Sequence, residues 1–209
     1  MVYSINMKKT TRNPVKTRTE ILQVAFWEIY KNGFHNVSVN DILSKTSLTK
    51  GAFFHYFPTK NDLGYAIADE ILKEMVMDRW IKPLAAYKNP LQGIVTNLRQ
   101  TLESATDDSI ALGCPLNNLI QEMSAVDPTF REKLLSTLEL WVSEIEKYLK
   151  KAQDLGYLKK SANPRQIAEF VVMTHEGGFG FSKSFKDKKI FWSLFTSLKE
   201  YLHSVSNKH

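Results

Sequence analysis

The sequence has a single cysteine, Cys114, in 209 residues. One thiol excludes a disulfide framework within the chain and a cluster of thiolate metal ligands. Glycine and proline are scarce as well, at nine and seven, and so few breakers favour long helices over many short strands. No stretch approaches the roughly 18 consecutive apolar residues of a membrane span. The opening segment "MVYSINMKKTTRNPVK" lacks the apolar core of a signal peptide, so the expected location is the cytoplasm. Five histidines and scattered acids show no metal-ligand spacing, no Gly-rich phosphate loop and no nucleophile motif. The expectation is a protein without enzymatic activity, metal or cofactor. Cys114 stands before Pro115 in "ALGCPL" with no basic neighbour to lower its pKa. It reads as buried packing, with a redox-sensing thiol as the rival.

What is present is ordinary in bulk and uneven in place. Hydrophobic residues make up 43% and charged residues 24%, enough for a sizeable core. Residues 1–60 hold nine bases (Lys8, Lys9, Arg12, Lys16, Arg18, Lys31, Lys45, Lys50, Lys60) against three acids (Glu20, Glu28, Asp41). That excess of six equals the net charge of +6 for the whole chain. A basic head on a neutral body points to a polyanionic partner for the head.

Ile21, Leu22, Ala25, Phe26, Ile29 and Tyr30 recur at helical spacing, and Gly33 follows as a stop. The spacing predicts a first helix over about 15–32. "SVND" at 38–41 and "TKND" at 59–62 read as capping boxes that open further helices. Between them lies a short helix over about 49–57, ended by Pro58. The helix after "TKND" should run to about Trp80, a rod of about 33 Å. Later helices are expected over about 90–106, 115–124, 128–154, 164–183 and 187–205, with Pro90, Pro115, Pro128 and Pro164 near their starts. The fold class is all-α, with about nine helices.

The stretch "SLTKGAFFHYFPTKNDL" crowds five ring residues beside Gly51. At 100° per residue Phe53 and Phe57 share one face and can pack on the first helix. Phe54, His55 and Tyr56 fan around the remaining arc. Two short helices joined by a three-residue turn in a basic setting resemble a helix-turn-helix.

The segment "TRTEILQVAFWEIYKNGFHNVSVNDILSKTSLTKGAFFHYFPTKNDL" resembles the N-terminal DNA-binding domain of the TetR family of transcriptional regulators. The similarity covers about residues 15–75. It implies a DNA-binding head there, with the helix-turn-helix at about 38–57, and a ligand-binding and dimerisation body over 76–209. "LGCPLNNLIQEMS" (112–124) is similar to a segment of one subgroup that includes repressors of drug-efflux and stress genes.

Residue by residue, the resemblance implies that Ser38 caps the second helix and reaches a phosphate, and that Asn40 faces the major groove. Thr49 and Lys50 would open the recognition helix, with Lys50 reading guanine O6/N7. Gly51 and Ala52 would allow close approach and thymine-methyl contact. Phe54, His55 and Tyr56 would flank the groove, with the Tyr56 hydroxyl on a phosphate. Many relatives carry tyrosine where this chain has Phe54, whose ring donates no hydrogen bond. Lys60 would hold a phosphate together with helix N-terminal amides.

The family binds palindromic operators as homodimers, commonly as repressors released by a small molecule. The dimer face is expected on the last two helices, at Gly178, Phe181, Phe191, Leu194, Phe195 and Leu198. Pocket candidates are Trp80, Leu98, Leu102, Asn117, Gln121, Trp141, Ile145 and Met173. The expected effector is apolar or aromatic, and the tryptophans would also suit a cation. A ligand-independent nucleoid-organising protein of the same fold is the alternative.

Overall fold

A computed structural model describes residues 14–207. Lys8, Lys9 and Arg12 of the basic head therefore lie outside the described residues. Helix α1 (Pro14–Asn32) buries Ile21, Leu22, Ala25, Phe26 and Ile29. Gly33 ends it with φ of +86°, a conformation that glycine adopts without steric cost. The short helices α2 (Val39–Ser44) and α3 (Lys50–Tyr56) follow. Ser38 and Asp41 cap α2 reciprocally. Thr49 caps α3 by accepting a hydrogen bond from the Ala52 amide.

Helix α4 opens at Lys60–Ala66 under a second capping box, Thr59 with Asp62. It then departs from the uniform rod expected from its spacing. The chain stays helical but widens into π-turns at Ile67–Leu72 and Met77–Ile81, around an α-helical stretch Lys73–Val76. It closes in a 3₁₀ turn, Lys82–Ala86. Side chains from other helices answer carbonyls along this rod. The buried Thr137 hydroxyl donates to Ala68 O at 3.2 Å. Pro83 has no amide to give the carbonyl four residues back. Asn97 donates to that carbonyl, Arg79 O, at 2.8 Å and to Trp80 O at 3.3 Å.

The body comprises α5 (Pro90–Ser104), α6 (Asp107–Leu112), α7 (Pro115–Met123), α8 (Pro128–Asp154), α9 (Pro164–Phe185) and α10 (Lys189–Val205). Four of the six begin on a proline, where a missing amide costs nothing. Helix α6 has no counterpart in the sequence reading. Its six residues are too few to show a period, and Thr106 and Gly113 cap it. Among the described residues the one extended pairing is an isolated bridge between Leu158 and Ser206. The all-α fold class holds. No described helix is long and apolar enough to cross a membrane.

One continuous apolar core runs from α1 to α10. Head and body meet through Phe34, whose ring packs edge-to-face on Phe130 with centroids 4.9 Å apart. Gly64 lets them close: a Cβ there would fall 2.3 Å from the Phe130 ring and 2.7 Å from the Phe34 ring.

Candidate nucleic-acid interface and effector cleft

Helix α3 is held from behind and open in front. Phe53 and Phe57 are buried, and the Arg18 guanidinium lies 5.1 Å from the Phe57 ring centroid. Asn40, Thr49, Lys50, Gly51 and His55 are exposed, Ala52 and Tyr56 half-buried, and Phe54 is 38% exposed. Gly51 is the informative position. A Cβ there would meet nothing within 4 Å, so the chain's own packing does not require glycine at that point. Lys50 Nζ lies 6.0 Å from the Phe54 ring centroid and is the one Lys or Arg of this short helix.

Two expected phosphate contacts are corrected. Ser38 gives both its amide (2.8 Å) and its hydroxyl (2.6 Å) to Asp41 Oδ2, so it caps α2 but keeps no donor for a phosphate. Lys60 does not reach outward. Its Nζ donates to Phe34 O at 2.8 Å and Val37 O at 2.9 Å and sits 4.5 Å from the Phe34 ring centroid. Burial lowers its pKa, and the charge of Glu122 partly offsets that. Lys60 is a brace for the loop between α1 and α2.

That loop carries a contact that no local pattern announces. Glu122, on α7, accepts from the Phe34 amide (2.8 Å), the His35 amide (2.7 Å) and His35 Nδ1 (2.9 Å). Burial pushes the Glu122 carboxyl up, but the amides of His35 and Phe34 and the His35 ring outweigh it and hold it below the usual range. Tyr30 adds a second tie, donating to Gly113 O at 2.5 Å. Asn61 and Tyr65 add a third through Asp127, at 3.1 and 2.7 Å. Both ends of the segment 113–124 thus grip α1 and the loop that follows it. The partners are far apart in sequence, which is why sequence reasoning missed Glu122 and Tyr30.

The eight expected pocket residues do not share one cavity. Trp80, Leu98, Trp141 and Ile145 line a space of only about 10 Å³, room for one water. Trp80 and Trp141 stack beside it at 5.2 Å, and the His175 ring closes on them at 4.5 and 4.9 Å. Asn117 and Gln121 instead line a cleft of about 580 Å³ between α1 and α7, within the usual range for small-ligand sites. Phe26, Ile29 and Leu119 give this cleft an apolar floor, and Lys183 and Glu122 stand on its walls. Leu102 is buried and lines neither cavity. Met173 is 62% exposed, on the outer face of α9, and is no pocket residue.

The expected dimer face is corrected in the same way. Phe191 is 1% exposed, and Phe195 and Leu198 are equally part of the chain's own core. Gly178 serves that core, since a Cβ there would lie 2.5 Å from the Phe191 ring. Leu194 is half-buried. Phe181 alone of the set is largely exposed, at 61%. It belongs to a stripe with Phe170, Met173 and Phe185, all exposed, and with Gly177, whose missing Cβ faces open space.

Cys114 is buried. Burial, then the charge of Glu176, push its thiol well above the ordinary range, and the Asn117 and Leu116 amides offset this only in part. A thiol held protonated is a poor nucleophile, which weighs against the redox-sensing alternative.

An exposed short helix set on a capped partner, with a basic residue at its first turn, defines a helix-turn-helix DNA-binding regulator. Comparison with known proteins narrows the class. Residues 21–67 match the family model for bacterial regulatory proteins of the tetR family, and residues 90–195 match that for the tetracyclin repressor-like C-terminal domain. An HTH-type transcriptional regulator in the lacX 3′ region of Lactococcus lactis is 31% identical over 210 residues, covering 96% of this chain and 97% of that protein. The HTH-type transcriptional repressor DhaR of a Mycobacterium species is 22% identical over 79% of this chain and 81% of its own. A TetR-family regulator from Cytophaga hutchinsonii shares the fold with a TM-score of 0.82 at 20% identity, over 96% of this chain and all of that one. The chain belongs to the TetR family of transcriptional regulators.

Proposed function

We propose that this regulator is a repressor that binds a palindromic operator in the cytoplasm as a homodimer and releases it when a small molecule enters the cleft between α1 and α7. Residues 15–75 form the DNA-binding head and 76–209 the sensing and dimerising body. Lys50, Gly51 and Ala52 meet base edges in the major groove, with Asn40, Thr49, Phe54, His55 and Tyr56 around them. The second copy docks on the outer stripe of α9, where Phe170, Met173 and Phe181 are exposed around the open Gly177.

One observation carries the switch. Helix α7 walls the 580 Å³ cleft and, through Glu122, also holds the α1–α2 loop of the head. A ligand that displaces α7 loosens the head, by no more than its differential affinity for the two arrangements. Two heads must match half-sites at fixed spacing, so a small shift in either costs affinity without removing a DNA contact. The cleft fits an effector with an apolar or aromatic body against Phe26, Ile29 and Leu119 and polar groups toward Asn117, Gln121 and Lys183.

A library of small aromatic compounds, added to protein bound to fluorescent operator, tests this. Gln121 is exposed on the cleft wall, so Gln121→Trp should fill the space and abolish release while free operator binding persists. Release by the same compounds at unchanged concentrations in Gln121→Trp contradicts the assignment. If no compound stabilises or releases the wild-type protein, the ligand-independent alternative gains.

A further inference from the structure

The sequence shows no metal-ligand spacing, yet the fold gathers a sulfur, a nitrogen and a carboxylate oxygen. Among the described residues Cys114, at the cap of α7, meets His175 and Glu176 of α9, and their ligand atoms all lie within 4.8 Å of one another. His175 Nδ1 is 3.0 Å from Glu176 Oε1. The second Glu176 oxygen, Oε2, is buried and makes no hydrogen bond to nitrogen or oxygen, and the weak thiol donor of Cys114 is what lies toward this carboxylate. A buried acceptor so poorly paired costs free energy, and here it sits beside two further ligand-type side chains. We propose that Cys114, His175 and Glu176 bind one divalent cation of the zinc class.

The donor set and the surroundings select that class. Sulfur, imidazole nitrogen and carboxylate oxygen together suit a borderline-soft ion, whereas calcium and magnesium demand oxygen alone. The site is walled by aromatic rings: His175 packs on Trp80, Trp141, Phe179 and Phe191. A net charge in such a wall would be costly. One thiolate and one carboxylate against a divalent cation leave none. Binding releases the Cys114 thiol proton to solvent, and the His175 proton moves to Nε2 so that Nδ1 offers its lone pair. The thiolate then lies at the N-terminus of α7, a position that favours negative sulfur. Three protein ligands leave a fourth position for a water.

The test uses the full chain, freed of metal by a chelator, dialysed and titrated with Co²⁺ alone. The expected result is one equivalent bound, with the near-ultraviolet thiolate-to-cobalt band and the strong visible bands of tetrahedral cobalt, both reversed by Zn²⁺. Cys114→Ser should lose the thiolate band. Glu176→Gln, which keeps the side-chain shape, should weaken binding by at least the about 10–100-fold that loss of an outer-sphere partner costs. Circular dichroism and thermal melting monitor folding, and Glu176→Gln decides the matter if the serine variant does not fold. The proposal is overturned if folded wild-type protein gives no thiolate band at one equivalent, if Cys114→Ser keeps that band, or if Glu176→Gln binds as tightly as wild type. None of these readouts depends on DNA or on the effector cleft.

Discussion

Replacing Glu122 with glutamine isolates the tie between α7 and the head. The carboxylate accepts three hydrogen bonds, from two backbone amides and one ring nitrogen. Glutamine keeps one acceptor oxygen and turns its NH₂ toward an amide that also donates. With the oxygen kept on His35, the amide of the buried Phe34 is left unpaired. An unpaired buried donor costs about 1–3 kcal/mol. The Glu122 side chain is 25% exposed, so water relieves part of this and about 1–2 kcal/mol remains. If the tie holds the head in its DNA-binding pose, the same amount appears as an operator Kd raised by about 5- to 30-fold. No phosphate contact is lost, so the slope of log Kd against log salt should stay unchanged. Thermal unfolding and operator anisotropy at several salt concentrations measure both. The folded-state pKa of Glu122 is depressed. The stabilising tie is therefore fully present above the unfolded value of about 4.3 and is lost as pH falls through the folded value. Wild type and Glu122→Gln should differ in melting temperature at neutral pH and converge in acid. A stability loss with no change in operator Kd would refute the coupling of α7 to the head.

Particular contacts set the outcome of five further variants. Gly51→Leu should leave melting unchanged, because open space surrounds that Cβ, while operator binding in gel shifts is lost; Gly64→Ala should instead unfold at lower temperature, since its Cβ meets two rings. Lys60→Met should cost about 1–2 kcal/mol by thermal or chemical unfolding through its two lost carbonyl bonds and leave the salt slope of DNA binding intact; a flatter slope would restore it as a phosphate anchor. Met173→Glu with Phe181→Glu should give helical monomers by light scattering, whereas Phe191→Glu should destabilise the fold itself, its site being 1% exposed; a double variant that stays dimeric places the interface elsewhere.

The helices were legible because their signals are local. Both capping boxes, the stop at Gly33 and the starts at Pro90, Pro115, Pro128 and Pro164 lie where the residues indicate. So does the burial of Phe53 and Phe57. What escaped depends on pairs distant in the chain. The π-turns of α4 were hidden because nothing within α4 announces them; the side chains that answer its carbonyls, Thr137 and Asn97, stand on other helices. An apolar stripe such as Phe191, Phe195 and Leu198 reads alike whether it meets its own core or a second copy. A lysine at a helix start reads as a phosphate anchor until the carbonyls of Phe34 and Val37 are seen around it. Cys114, His175 and Glu176 have no spacing to detect, since α7 and α9 bring them together only on folding.

Selection of binding sites from a random pool of duplex DNA tests the central claim most directly. Full-length protein should enrich one palindrome whose half-sites lie about 34–36 Å apart, or a multiple of that. Lys50→Ala should relax the preference at one base position of each half-site and weaken binding by about 1–3 kcal/mol. Enrichment of no palindrome, or of the same sequence with the same preference by Lys50→Ala, would contradict a regulator that reads its operator as a dimer through α3.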